Sequence, residues 1–349
     1  MSEGVVSTEK LTVGDAVLSE LRGNVGVITL NRPRQLNALT TPMVESIDAR
    51  LAAFSGEGLR AVVLNSASPR AFCAGGDIRA IRDNSLTGDA EAIERFFATE
   101  YRLNHRIATS AVPVVSFIDG ICMGGGMGLS IHGTFRVVTD NASFAMPETK
   151  IGFFPDVGAS YFLSRLPGAL GPYLGLTGAR ITAADALYCG LATHRVSAGA
   201  FDEVIEAIDH GESIHGALAG MAGSSESSAG SLAAHRAEID WCFGARTVRE
   251  VDERLSQVGG TWATTTRDTL HELSPQSLEV SLHLISWGRQ RSLAQCLEAE
   301  LNVARKVVKT EDFIEGVRAA LVDKDQRPLW GESRFRGADS AGRATWNVC

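Results

Sequence analysis

Residues 112–130 read VPVVSFIDGICMGGGMGLS: a β-branched apolar run, a turn at Asp119 and Gly120, and three consecutive glycines that open a further run. Apolar residues bounded by turn formers predict a strand over 112–118, and the glycines predict a helix start near 125, running to about 132. A helix that begins on glycines leaves its first N–H groups uncovered at the positive end of the helix dipole, a place suited to an oxyanion or a phosphate. The alternative for the same glycines is close packing of helix on strand. A phosphate-cradling loop would read GK[ST], and a dinucleotide fingerprint would put GxGxxG after the first strand; the sequence contains neither.

Outward from this stretch, similar Val- and Ile-rich runs lie at 25–30, 61–65 and 135–139, with helical patterns at about 42–54 and 90–108. Alternation of strands and helices predicts an α/β fold with parallel strands, and the uneven spacing argues against a simple doubly wound sheet. Beyond Arg180 the pattern turns helical, beginning with ITAADALYCGLA and Thr182 as its N-cap. The Gly/Ser-rich segment 216–230, GALAGMAGSSESSAG, reads as a flexible connection. It divides a core, 1–215, from a helical C-terminal extension, 216–349, which includes VREVDERLSQV and AQCLEAELNVARKVV and ends in a loose tail, GADSAGRATWNVC.

Two more constellations stand beside the glycine run. Residues 71–78, AFCAGGDI, follow the run at 61–65, and the small residues let the backbone approach a ligand, with the Gly76 N–H able to meet developing negative charge. A tight turn is the plain alternative. Residues 147–158, PETKIGFFPDVG, set Glu148 and Asp156 among Pro, Gly and apolar residues. Apolar surroundings favour the neutral carboxyl, and neighbouring carboxyls push their pKa values apart, which suits a base and an acid. Otherwise Asp156 caps a helix starting at 157–161 and Glu148 pairs with Lys150.

Composition narrows the function classes. With 349 residues, 44% hydrophobic and 21% charged, the chain is that of a globular protein, and no apolar run approaches the ~20 residues of a membrane span. A net charge of −8 disfavours general nucleic-acid binding. The six cysteines form no CxxC pair, so neither a zinc knuckle nor a disulfide framework is expected. His105 and His132 are read as structural, and no metal site is expected. Glu3, Glu9, Asp15 and Glu20 near the start suit neither a signal nor a transit peptide, so the chain as given reads as cytoplasmic or already processed.

Taken together and in order, AFCAGGDI, DGICMGGG, then FAMPE and IGFFPDVG resemble the crotonase (enoyl-CoA hydratase/isomerase) superfamily, and more closely its 3-hydroxyisobutyryl-CoA hydrolase branch. The resemblance covers about residues 20–200 and resumes at DFIEGVRAALVDKDQRPLW, which is similar to that branch's C-terminal signature. It implies a spiral of ββα turns followed by helices, and a CoA thioester carbonyl held by the backbone N–H groups of Gly76 and Gly125. A hydratase would carry a glutamate where this chain has Gly128, so the resemblance favours the hydrolase pairing of Glu148 with Asp156. It also implies a substrate-side contact from Glu100, in FFATEYRLN, whose plain alternative is a solvated helix residue.

Around NRPRQLNAL, residues 31–39, the resemblance implies backbone contacts to the CoA adenine and basic contacts to phosphate. Arg32, Arg34, Asn37 and Ala38 are the candidates, and exposed loop charges are the alternative for the two arginines.

The expected reaction is hydrolysis of a short branched 3-hydroxyacyl-CoA, as in valine breakdown. Glu148 would act as nucleophile or as general base, and no cofactor is expected beyond the CoA within the substrate. A hydratase or isomerase acting on another acyl-CoA is the nearest alternative, and a non-catalytic crotonase-like nucleic-acid binder is one from another class. The superfamily's habit implies trimers or hexamers, although the extension could replace a neighbour's helices.

Overall fold

A computed structural model describes residues 15–197, 199–221 and 230–331. Ten strands occur among them: β1 Val17–Arg22, β2 Val25–Leu30, β3 Ala61–Ser66, β4 Ala71–Cys73, β5 Val114–Ile118, β6 Ile121–Met123, β7 Phe135–Val138, β8 Ser143–Ala145, β9 Ile181–Thr182 and β10 His194–Arg195. They form a six-stranded sheet in the order β1-β2-β3-β5-β7-β10 and a four-stranded sheet in the order β4-β6-β8-β9. Each pass of the chain gives one strand to each sheet: β3 then β4, β5 then β6, β7 then β8. Pairing is parallel except for β1 with β2 and β8 with β9. This is the expected spiral of ββα turns, and it explains the uneven strand spacing.

Alternate residues of the larger sheet face two cores. Val25, Val27, Val63, Val115 and Phe117 pack with Val204, Ile205 and Ile208 of the helix Phe201–Asp209. Ile28, Leu30, Val62, Leu64 and Ile118 face the main core. Burial on both faces is why these strands read as continuous apolar runs rather than alternating ones. The strand expected from 112 begins at Val114, since Pro113 has no N–H to give a ladder.

Helices Thr41–Phe54 and Ala90–Ala108 lie close to the expected bounds. Thr182 caps Ala183–Cys189 in a capping box, its side chain accepting from the Asp185 N–H. The expected flexible connection is helical at its start: Ile214–Gly220 is capped by Ser213, while 222–229 lie outside the described residues, as does the expected tail 337–349. The C-terminal helices close over the core. Leu293–Val307 packs on Ala90–Ala108, and Glu311–Val317 packs on both Ile78–Thr87 and the short turn Glu148–Ile151.

Candidate active site

Three parallel strands of the smaller sheet end side by side, and each is followed by part of the site. Gly75 and Gly76 come after β4, Gly124 and Gly125 after β6, and Pro147 and Glu148 after β8. Carboxyl ends of parallel strands are the usual ligand edge of an open α/β sheet. Gly125 is the first residue of the helix Gly125–Ile131, so its N–H has no acceptor within that helix. Gly76 lies opposite Leu39 in a bridge whose bonds run from the Leu39 N–H to Gly75 O and from the Asp77 N–H to Leu39 O, each 2.8 Å. Among the described residues, neither the Gly76 nor the Gly125 N–H donates to a protein acceptor.

Side chains at these glycines would close the site. A Cβ on Gly125 would stand 3.4 Å from the Gly76 nitrogen and collide with Glu100 Oε1. One on Gly124, whose φ is +48°, would stand 2.7 Å from Glu148 Oε1. The glycine turn is therefore wedged between two carboxyl groups, with no room for a methyl.

Glu100 comes from the helix Ala90–Ala108, Glu148 from the turn after β8, and Asp156 from the loop behind that turn. All three are buried and line one cleft of about 540 Å³. Among the described residues, Glu100 Oε1 and Glu148 Oε2 find no hydrogen-bond partner, which is costly for buried acids unless a ligand supplies one. Asp156 Oδ2 accepts from the Tyr101 hydroxyl at 2.7 Å. Burial, reinforced by the charge of Asp156, holds the Glu148 and Glu100 carboxyls well above the usual range. Burial also pushes Asp156 up to about 7, against the pull of the Tyr101 hydroxyl and a backbone N–H. The cleft thus keeps protons near neutrality, the condition for one carboxyl to give a proton while another takes one.

Three alternatives from the sequence are corrected here. Asp156 does not cap the next helix: Ala159–Phe162 begins after Gly158 and has no side-chain cap. Among the described residues, Glu148 makes no ion pair with Lys150. Glu100 is enclosed rather than solvated.

The loop 31–39 brings two of its four expected residues, Arg32 and Ala38, to the cleft. Asn37 is fully buried; its side-chain amide donates to Ser66 Oγ at 2.7 Å and Phe72 O at 2.8 Å, and its Oδ1 accepts the Arg32 N–H. Its own N–H goes to Arg32 O and its carbonyl accepts from Cys73 Sγ, so Asn37 holds the loop together and offers a ligand no free polar group. Arg32 lines the cleft while donating to Ala38 O at 2.8 Å and Asp77 Oδ2 at 3.1 Å. Ala38 also lines the cleft, and Arg34 is exposed on the turn Pro33–Gln35. Arg79 and Gln326 line the cleft without having been singled out in the sequence, and Lys150, named there only as an ion-pair partner, lines it too. Tyr101 was likewise missed, although it directly follows Glu100.

Position 128 is also decided by packing. A Cβ on Gly128 would stand 2.7 Å from Val157 Cβ and 2.9 Å from Asn104 Nδ2. Val157 directly follows Asp156, so an acidic side chain at 128 could enter only by displacing the loop that carries Asp156.

The family model described as enoyl-CoA hydratase/isomerase matches residues 25–343. A protein from Arabidopsis thaliana named 3-hydroxyisobutyryl-CoA hydrolase 1 is 42% identical over 331 residues, covering 91% of this chain and 88% of the relative. One from Gallus gallus, named 3-hydroxyisobutyryl-CoA hydrolase, mitochondrial, is 39% identical over 332 residues, covering 90% of this chain and 84% of the relative. The crystal structure of a carnitinyl-CoA dehydratase from Mycobacterium thermoresistibile superposes with a TM-score of 0.86 at 39% identity, covering 94% of this chain and 95% of the other.

Proposed function

The chain belongs to the enoyl-CoA hydratase/isomerase family, and on that premise we propose that it hydrolyses the thioester of a short branched 3-hydroxyacyl-CoA, 3-hydroxyisobutyryl-CoA first among them, as a step of valine breakdown. The observation that carries the reading is the acid set: Glu148 and Asp156 share a cleft with the bare Gly76 and Gly125 N–H groups, while the place of a second hydratase glutamate is filled at Gly128. The names of the plant and bird relatives support the same reaction.

In the proposed reaction the thioester carbonyl oxygen lies between the Gly76 and Gly125 N–H groups. Glu148 attacks the carbonyl carbon or takes a proton from the water that does; the new C–O bond forms and the negative charge moves onto the oxygen held by the two amides. Collapse breaks the C–S bond, and a protonated carboxyl of the cluster returns a proton to the CoA sulfur. Where water is the nucleophile the acid is released at once; where Glu148 is, collapse leaves its mixed anhydride with the acyl group, which a water then hydrolyses to restore the Glu148 carboxylate, so by either route one water yields the 3-hydroxy acid and free CoA thiol. Asp156 binds the substrate hydroxyl or manages that proton, and Glu100 contributes a further contact on the acyl side. Because the amides are fixed before the charge appears, each supplies stabilisation without reorganising; loss of one such donor typically costs ~10²–10³ in rate. Arg32, Arg79 and Lys150 supply positive charge around the cleft for the CoA phosphates.

The dehydratase name borne by the mycobacterial structure supports a second reading, addition or removal of water at an enoyl-CoA. Gly128 weighs against it, because that chemistry in this family would need an acid where Val157 and Asn104 leave no volume. Incubation with 3-hydroxyisobutyryl-CoA tests the proposal: the expected products by mass spectrometry are free CoA and 3-hydroxyisobutyrate in equal amounts. Recovery of intact thioester, or of a hydrated or dehydrated CoA ester, would overturn it.

A further inference from the structure

Glu300, on the C-terminal helix Leu293–Val307, is fully buried and has no part in the chemistry above. Its carboxylate accepts three hydrogen bonds from one turn: Oε2 from the Gly158 N–H at 2.7 Å, and Oε1 from the Ser160 N–H at 2.9 Å and the Ser160 hydroxyl at 2.5 Å. That turn is the continuation of the loop bearing Asp156. It is an unusual one, because Val157 and Gly158 both have positive φ, +54° and +85°. Glycine takes this conformation freely, whereas a β-branched valine there is strained and persists only where its surroundings hold it.

Two groups hold it. On one side the His132 ring stands with Nε2 2.7 Å from Val157 O; burial lowers the ring's pKa to about 4, so it is neutral and donates that bond from Nε2. On the other side is Glu300, which takes up the N–H groups exposed where Ala159–Phe162 begins. Titratable groups that interact with this carboxyl are Asp156 and Tyr101 in the site and Cys296 one turn back on its own helix, and His132 stands against Gly158. Burial pushes Glu300 up to about 8 against the pull of its three donors, so a buried acid is a costly way to satisfy a helix start, and here it serves the turn that directly follows Asp156.

We infer that Glu300 is a positioning residue: through Gly158 and Ser160 it locks the left-handed turn that aims Asp156 into the cleft and against Tyr101. The role rests on the hydrolase reading, in which Asp156 meets the substrate. It also gives the C-terminal helices a part in the reaction, since Glu300 reaches the site across 142 residues of sequence.

Glu300→Gln and Glu300→Ala test it, with Glu298→Gln on the exposed face of the same helix as the control. Each variant is checked for folding by circular dichroism, assayed for thiol release, and crystallised. A shift of about 1 Å in a reacting group can cost ~10²-fold, so the alanine variant should lose about that factor in kcat with KM within about twofold. The glutamine variant keeps one acceptor oxygen and should lie between it and wild type, and the control should match wild type. In the alanine crystal structure the Asp156 to Tyr101 bond of 2.7 Å should be broken. Folded glutamine and alanine variants with wild-type kcat would overturn the inference, as would an alanine structure with the turn unmoved. If wild type itself releases no thiol, the hydrolase reading fails, and the crystal structures still decide whether Glu300 fixes Asp156. Should the alanine variant not fold, kcat and structure of the glutamine variant decide it.

Discussion

In the six-stranded sheet, β2 and β3 pair along their full lengths, from Val25 with Ala61 to Leu30 with Ser66, and bury both faces. In the four-stranded sheet, β4 and β6 are three residues each, pair irregularly and lead into glycine turns. The larger sheet supplies many redundant contacts, none of which has to be placed to within a fraction of an ångström. The smaller sheet supplies few, and its strand ends fix the distance between two amide donors and the acid Glu148. Stability and chemistry are therefore distributed unequally between sheets made by the same passes of chain, and substitutions in the two should separate cleanly.

The widest separation is expected at Glu148. Glu148→Gln should lower turnover by roughly 10²–10⁴-fold, the range for a positioned acid or base, with CoA-ester binding by calorimetry kept within a few-fold. A near-normal rate in that variant would remove the proposed mechanism. Next comes Gly125→Ala, whose methyl would strike Glu100 and crowd the Gly76 amide. Its expected loss in kcat is about 10²–10³-fold, measured by thiol release at saturating substrate.

Asp156→Asn should cut kcat strongly and yet stabilise the fold above neutral pH. The folded-state pKa of Asp156 is raised from 3.8 to about 7. Between those values the folded protein holds a proton that the unfolded chain has released, so wild type loses stability as pH rises through that window and stays at the lower level above it. Asparagine has no charge to bury, and at pH 8 it should melt as though stabilised by on the order of 1–3 kcal/mol, with the advantage vanishing toward pH 4. A lower melting point at pH 8 would mean that the loop depends on the charged form.

The smallest effect on chemistry belongs to the larger sheet. Val63→Ala, fully buried in β3, should cost about 2 kcal/mol in denaturant unfolding and leave kcat and KM unchanged. A change in kcat there would break the division between the sheets.

The same division explains what the sequence reveals. Strands of the larger sheet carry long apolar runs, so their existence and parallel arrangement can be read directly, with only the Pro113 boundary displaced. Strands such as Ala71–Cys73 and Ile121–Met123 are too short to show a period, and they appear within glycine-rich turns. Glu148, Asp156, Gly76 and Gly125 were legible as a set through the order of three motifs, which a resemblance tied together. Asn37 was named through the resemblance alone, and its structural part, an amide bonded to Phe72 O and Ser66 Oγ, has partners 35 and 29 residues away that no local pattern announces. Tyr101 and Glu300 left no local trace, since their partners lie 55 and more than 100 residues away.

The most direct test of the account is one preparation assayed side by side for thiol release from 3-hydroxyisobutyryl-CoA and for loss of the conjugated enoyl absorbance of crotonyl-CoA. The account predicts thiol release with the enoyl absorbance unchanged. Loss of enoyl absorbance without thiol release would contradict it, and would mean that water addition proceeds here without an acid at position 128.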